Sequence, residues 1–255
     1  MTETDTPLIN INSSTKIEKG LTQGWYTGIL YLKPADMVAK KTLCPFADQA
    51  GCKAGCLESS GQLGMATADK AKIKRTILML LQPLQFIQAL QAEVDRYHIK
   101  YGDKLAIRLN GTSDLDWFDF IKANPLVQFY DYTKVIKYAR KSLDIANYHV
   151  TFSGSAASVS QIDKTIDAIK EGLQVVIACN TAENKGEWRR PEWLGDISLL
   201  DMDTTDLRFL DKGQVGTLKR KGSNRKERTD QGNAAGFFFS ELRLAWLGIK
   251  LNRKV

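Results

Sequence analysis

Between residues 104 and 178 the chain alternates short apolar runs with amphipathic stretches, and this alternation restricts the fold more than any other feature. The runs KLAIRL (104–109), VQFYDY (127–132), YHVTF (148–152) and QVVIA (174–178) have the length and the β-branched and aromatic content of strands. Between them, 116–122, 134–143 and 158–171 carry apolar residues at helical spacing, the last opened by Ser158 or Ser160 as an N-cap and stopped by Gly172. Parallel strands need a long crossover, and a helix usually supplies it. The expected fold class is therefore α/β, a parallel βα repeat forming a partial or complete TIM-like barrel.

The flanks extend the pattern. GWYTGILYLK (24–33) reads as a first strand ended by Pro34, so the expected barrel carries its cysteine-bearing loop directly after the first strand. Residues 67–97 read as a helix that Pro83 kinks or divides. A further strand is expected at 213–219, and a closing helix at 234–247 with Phe237, Phe238, Leu242, Leu244 and Trp246. The polar residues 1–18 are expected to be a flexible N-terminal segment, leaving 19–255 as a single α/β domain. A hydrophobic content of 43% in 255 residues suffices for one such core. The start of the chain lacks a basic-apolar-small leader pattern, and no apolar run approaches the ~18 residues of a membrane span. No dinucleotide-binding glycine fingerprint and no P-loop occur.

The chemically committed part of the chain is CPFADQAGCKAGC. It places Cys44, Cys52 and Cys56 within thirteen residues at C-x7-C-x3-C spacing, with Gly51 and Gly55 between them. Four cysteines are too few for a disulfide scaffold in a chain of this size, and clustered thiols read as metal ligands in a reducing compartment. Three thiolates on one loop can hold three corners of a [4Fe–4S] cube and leave one iron open. Zinc with a fourth ligand from elsewhere is the alternative metal, although structural zinc sites favour paired C-x2-4-C spacings that are absent here. Cys179 or His149 is a possible fourth ligand; a small buried thiol and a hydrogen-bonded core histidine are the plainer readings.

In βα folds the site gathers at the carboxyl ends of the strands. Those ends hold Arg108, Asn110 and Asp114, then Asp131, then Ser153, and these five are the candidate cofactor-binding residues. Arg108 offers a bidentate donor to a carboxylate or phosphate. Asn110 and Asp114 also suit the capping of the next helix, and Asp131 also suits a position facing the helix layer, paired with a lysine. Asp201, Asp203, Asp206, Arg208 and Asp211 are expected to join the same pocket. With only His98 and His149 in the chain, no histidine is placed to activate Ser153 or Ser155 as a nucleophile.

The net charge is +7, and the lysine- and arginine-rich segment 219–228 contributes to it. Such a run suits a solvated loop or contact with nucleic-acid phosphates, though it lacks interleaved aromatics for base stacking.

The blocks CPFADQAGCKAGCLESSG, RLNGTSD, FYDYTK, NYHVTFS, DLRFLD and GTLKRKG resemble, in this order, the phage "gene product 88" family over residues 25–222. That resemblance implies expression in the host cytoplasm. A looser resemblance, in topology and in the place of the cysteines, is to the radical S-adenosylmethionine (SAM) superfamily, whose usual motif is C-x3-C-x2-C. It implies a [4Fe–4S] cluster, SAM as a possible cofactor, and an unknown substrate. The functions expected are thus a phage-encoded iron–sulfur protein of radical-SAM-like type, or alternatively a non-catalytic iron–sulfur redox protein or a nucleic-acid-binding protein with a structural metal. No membrane partner is expected.

Overall fold

The computed structural model describes residues 7–11, 15–38, 42–54, 56, 61–180, 189–219 and 236–252. Its centre is an eight-stranded sheet in the order β1-β2-β3-β4-β5-β6-β10-β9. The strands are β1 (Ile9–Ile11), β2 (Tyr26–Leu30), β3 (Leu105–Arg108), β4 (Gln128–Thr133), β5 (Tyr148–Ser153), β6 (Val175–Cys179), β9 (Leu200–Asp201) and β10 (Val215–Lys219). The short pair β7 (Trp193–Leu194) and β8 (Ile197–Ser198) forms a separate antiparallel ribbon. From β2 to β6 and on through β10 to β9 every pairing is parallel, and only β1 on β2 is antiparallel.

The helices are α1 (Thr15–Leu21), α2 (Ala66–Leu81), α3 (Pro83–Tyr101), α4 (Phe118–Lys122), α5 (Ile136–Ser142), α6 (Val159–Lys170) and α7 (Glu241–Asn252). Neighbouring strands that follow one another in sequence through right-handed crossovers place their helices on one face of the sheet. The core agrees. Ile107, Phe129, Val150, Phe152, Val175, Ile177 and Cys179 share one hydrophobic cluster with Phe86, Leu90 and Val94 of α3, Phe118 and Ile121 of α4, and Ile162, Ile166 and Ile169 of α6. The three isoleucines of α6 contribute about 2 kcal/mol each by leaving water. Ser158 caps that helix by accepting the Gln161 N–H. Pro83 divides the expected long helix in two, occupying the first turn of α3, where its missing N–H costs no hydrogen bond.

The alternate strand positions face the other way. Ala106 and Tyr130 meet Leu207, Trp25 and Phe209 there, and Ile29 and Tyr31 meet Leu63. The stretch from β9 through residue 211 therefore covers part of this second face. The acid-rich run 201–211, expected to line a pocket with the cysteines, is a correction. Asp206 accepts from Tyr130 Oη (3.3 Å) and Tyr132 Oη (3.2 Å) and pairs with Arg108 (3.2 Å), while Arg208 pairs with Asp211 (2.9 Å). Apolar neighbours and tyrosine hydroxyls drew these charges inward, which spacing alone does not reveal.

Three other expectations are adjusted. No pairing joins β9 to β1 among the described residues, so a complete barrel is not formed by them. The stretch expected to be a flexible N-terminal segment holds β1, with Leu8 and Ile9 buried and their N–H groups both bonded to the Glu93 carboxylate at 2.8 Å. The cysteine loop thus follows the second strand in chain order. The closing helix begins at Glu241 rather than near 234, because Phe239 is extended beside Cys179, exchanging bonds with Ala178 and Asn180. No helix among the described residues is long and apolar enough to cross a membrane.

Candidate functional site

The cysteine stretch lies over the carboxyl ends of β2, β3 and β5. Three contacts dock it there. The Asp114 N–H donates to the Leu43 carbonyl (2.9 Å), Ser155 Oγ donates to the Ala50 carbonyl (2.7 Å), and Cys44 Sγ rests against the Thr112 carbonyl (3.8 Å). Ala35 turns the chain into this stretch with φ of 52°. A left-handed alanine is unfavourable by about 1 kcal/mol or more, and here its N–H points at Cys44 Sγ, 3.4 Å away. Strain of this kind persists where surrounding contacts hold it.

All three loop thiols are half-buried. Burial, opposed by the Ala35 N–H and aided by the neighbouring Cys56, Asp114 and Cys52, pushes Cys44 up to about 12. Cys52 is raised by burial as well, against the attraction of the Lys134 ammonium. Cys52 and Cys56 are thus electrostatic neighbours of Cys44. Cys44 and Cys52 are weak nucleophiles as they stand, since a protonated thiol does not attack. A metal would displace those protons on binding. Among the described residues no three His, Cys, Asp or Glu side chains form a group able to hold a metal ion.

Beneath the loop lie two charged side chains. Asp114 accepts Thr133 Oγ1 (2.7 Å) and the Lys134 backbone N–H (2.8 Å). Burial raises its carboxyl to about 6 despite these bonds. Lys134 Nζ donates to the Ser153 carbonyl (2.7 Å), Ser153 Oγ (2.9 Å) and the Gly154 carbonyl (2.9 Å), and lies 4.5 Å from the centre of the Phe237 ring. Burial pushes its ammonium down to about 8, with Cys52 and Asp114 pulling the other way.

The structure therefore brings Asp114 and Ser153 together with the cysteines, joined through Lys134. It places the other three candidates nearby but commits them elsewhere. Asp131 faces the helix layer, where its carboxylate accepts the Asn110 N–H (2.7 Å) and Tyr148 Oη (3.1 Å) rather than meeting a lysine. Asn110 Oδ1 in turn accepts from Ser113 Oγ, the Leu115 N–H and Trp117 Nε1, which ties the turn after β3. Arg108 points to the opposite face, paired with Asp206 and stacked 4.6 Å from the Tyr132 ring centre. Gly111 lets this turn approach β2, since a Cβ there would lie 2.6 Å from the Leu30 carbonyl oxygen and from Ile29.

Neither possible fourth ligand joins the loop. Cys179 is fully buried in the helix-facing core and is raised to about 12 by burial alone, with no influence from the other thiols. His149 sits at the amino-terminal end of β5, its Nε2 bonded to Gln174 Oε1 at 2.9 Å, in a cleft shared with Asp211 and Lys212. Lys134 and Ala35 are not among the five candidate residues. A lysine at the end of an otherwise apolar strand was the available signal for the first, and the second left none, because alanine does not advertise a positive φ. The basic segment proposed for nucleic acid lies, beyond Lys219, outside the described residues.

Comparisons with curated proteins and with solved structures return no match. The family model for Gene product 88 does match, over residues 8–238, and the chain belongs to that family of phage gene products.

Proposed function

We propose that this protein binds a [4Fe–4S] cluster through Cys44, Cys52 and Cys56, with one iron left open to a small molecule, in the manner of a radical-SAM enzyme. One observation carries the reading: the stretch holding Cys44, Cys52 and Cys56 is docked over the carboxyl ends of parallel strands, with Cys52 and Cys56 both acting on Cys44, while Cys179 and His149 lie elsewhere. A single zinc ion gathers its ligands at about 2.3 Å, whereas a cube spreads its thiolates over separate irons. The Ala35 N–H aimed at Cys44 Sγ is the kind of donor that tunes a cluster sulfur. When bound, such a cluster supplies one electron for reductive cleavage of a sulfonium. The chain's own part is to hold the thiolates, to wall the site with Thr112, Ser153 and Gly154, and to set its charge through Asp114 and Lys134.

Anaerobic reconstitution followed by iron and sulfide analysis tests this. About four irons and four sulfides per chain are expected, with a paramagnetic signal of the reduced protein that changes on adding SAM. C44S, C52S and C56S should each lose the cluster, and C179S should keep it. Zinc without sulfide, or loss of the cluster in C179S, would overturn the reading.

A further inference from the structure

We propose that Tyr26, Tyr97 and Tyr101, together with Arg96, Lys100 and Lys104, form a stacking platform for single-stranded nucleic acid. The cluster sits at the amino-terminal end of the parallel strands, where Tyr26 opens β2 beside Leu105 of β3 and Tyr101 closes α3. The cysteine stretch covers the opposite, carboxyl ends, so the two sites are separate. Residues four apart share one face of a helix. Tyr97 and Tyr101 therefore make one stripe along the last turns of α3, and Arg96 and Lys100 make the adjoining one. Tyr101 stacks on Tyr26 with ring centres 4.2 Å apart and on Tyr97 with centres 6.2 Å apart, the planes tilted by only 19° and 22°. Three rings from two elements thus form a ladder of nearly parallel faces. At its end Tyr26 is still 37% exposed, and its hydroxyl has no partner among the described residues.

The cations are set among these rings. Arg96 lies 4.9 Å from the centre of Tyr97, Lys100 lies 5.2 Å from that of Tyr101, and Lys104 lies 5.2 Å from that of Trp25, which precedes Tyr26. All three are exposed, and none forms an ion pair with a described carboxylate. Asp103 is the one acid between residues 96 and 104. The end of α3 offsets only about half a charge more, so a net positive surface remains. Parallel rings interleaved with unpaired cations match a single strand. Its bases stack on ring faces whatever their sequence, and its phosphates meet lysine and arginine. A duplex keeps its base faces inside its own stack and gains the phosphate contacts alone. The basic run 219–228 has the charge without the rings.

The test is fluorescence anisotropy of labelled oligo(dT) and oligo(U) titrated with the full chain over a range of salt, with a DNA duplex of equal length beside them. At least one single strand should bind more tightly than the duplex, and the tighter of the two tells DNA from RNA as the ligand. Tyr26→Phe keeps the ring and should bind as the native chain does, whereas Tyr26→Leu should weaken binding about five-fold or more. Lys100→Gln and Lys104→Gln should each flatten the slope of log affinity against log salt by about 0.7, with circular dichroism unchanged. Should Tyr26→Leu fail to fold, these two slopes decide the matter. No binding of either strand at low salt would overturn the proposal, as would equal affinity for the duplex. Native affinity in a folded Tyr26→Leu chain, unchanged slopes in both lysine variants, or affinity lost only when Lys219, Arg220 and Lys221 are neutralised would overturn it as well.

Discussion

Asp131→Asn separates a residue that holds the fold from one that serves the pocket. The Asp131 carboxyl is almost completely buried, and burial raises it from 3.8 to about 7, against the pull of Arg108 and the bonds from Asn110 and Tyr148. The carboxyl is thus easier to protonate in the folded chain. Its contribution to stability is fully present below pH 3.8, declines as the unfolded chain ionises, and is lost once pH has risen through about 7. The whole change amounts to roughly 4 kcal/mol, of which about 2.5 falls between about pH 5 and about pH 8. Asparagine keeps an acceptor for the Asn110 N–H, and its amide can donate to a Tyr148 hydroxyl turned to accept. Urea unfolding of both proteins across this range, in reducing buffer, measures the effect. The stability of the variant relative to the native chain should rise by about 2.5 kcal/mol from pH 5 to pH 8. Asp114, raised to about 6, tilts both proteins in the same direction, and its charge is among the influences that raise Asp131. A difference that does not vary with pH would refute the assignment of a buried, titrating Asp131.

Gly111→Ala should destabilise by about 2 kcal/mol, because the new methyl meets a backbone carbonyl and two side chains of β2 and its extension; a midpoint in urea unchanged from the native chain would contradict the close approach. Glu93→Ala leaves the Leu8 and Ile9 N–H groups without their acceptor and should cost about 3 kcal/mol. Faster amide exchange should then appear at residues 8 and 9, and native protection there would show that β1 does not depend on Glu93.

Much of the fold was legible because periodicity is local. The five central parallel strands and the helices between them fall within a few residues of the apolar runs that announce them. β1 was not legible: INI is three residues long in polar surroundings, and it is held by distant partners, Glu93, 84 residues from Ile9, which accepts its N–H, and Arg75, which donates to Asn10. The start of the closing region misled for a related reason, since Phe237 and Phe238 suit a helix by composition, but Phe239 lies beside β6. At the site, the three cysteines were legible from spacing, and Asp114 and Ser153 from their place at strand ends. Arg108 was read from the same logic, yet its side chain follows the alternation of β3 to the opposite face, where Asp206 waits 98 residues on.

The sequence by itself determined which segments are strands and helices, that the crossovers are parallel, and that three thiols share one loop, since each of these depends on residues close together in the chain. Only the tertiary structure decided which charges meet. It buried Lys134 against Ser153 and Gly154, paired Asp131 with Asn110 and Tyr148, withdrew Cys179 into the core, and turned Arg108 and Asp206 toward each other. The physical reason is that the free energy of a charge or a thiol depends on its distance to partners and to water, and those distances are properties of the packed sheet rather than of any neighbouring residue in the chain.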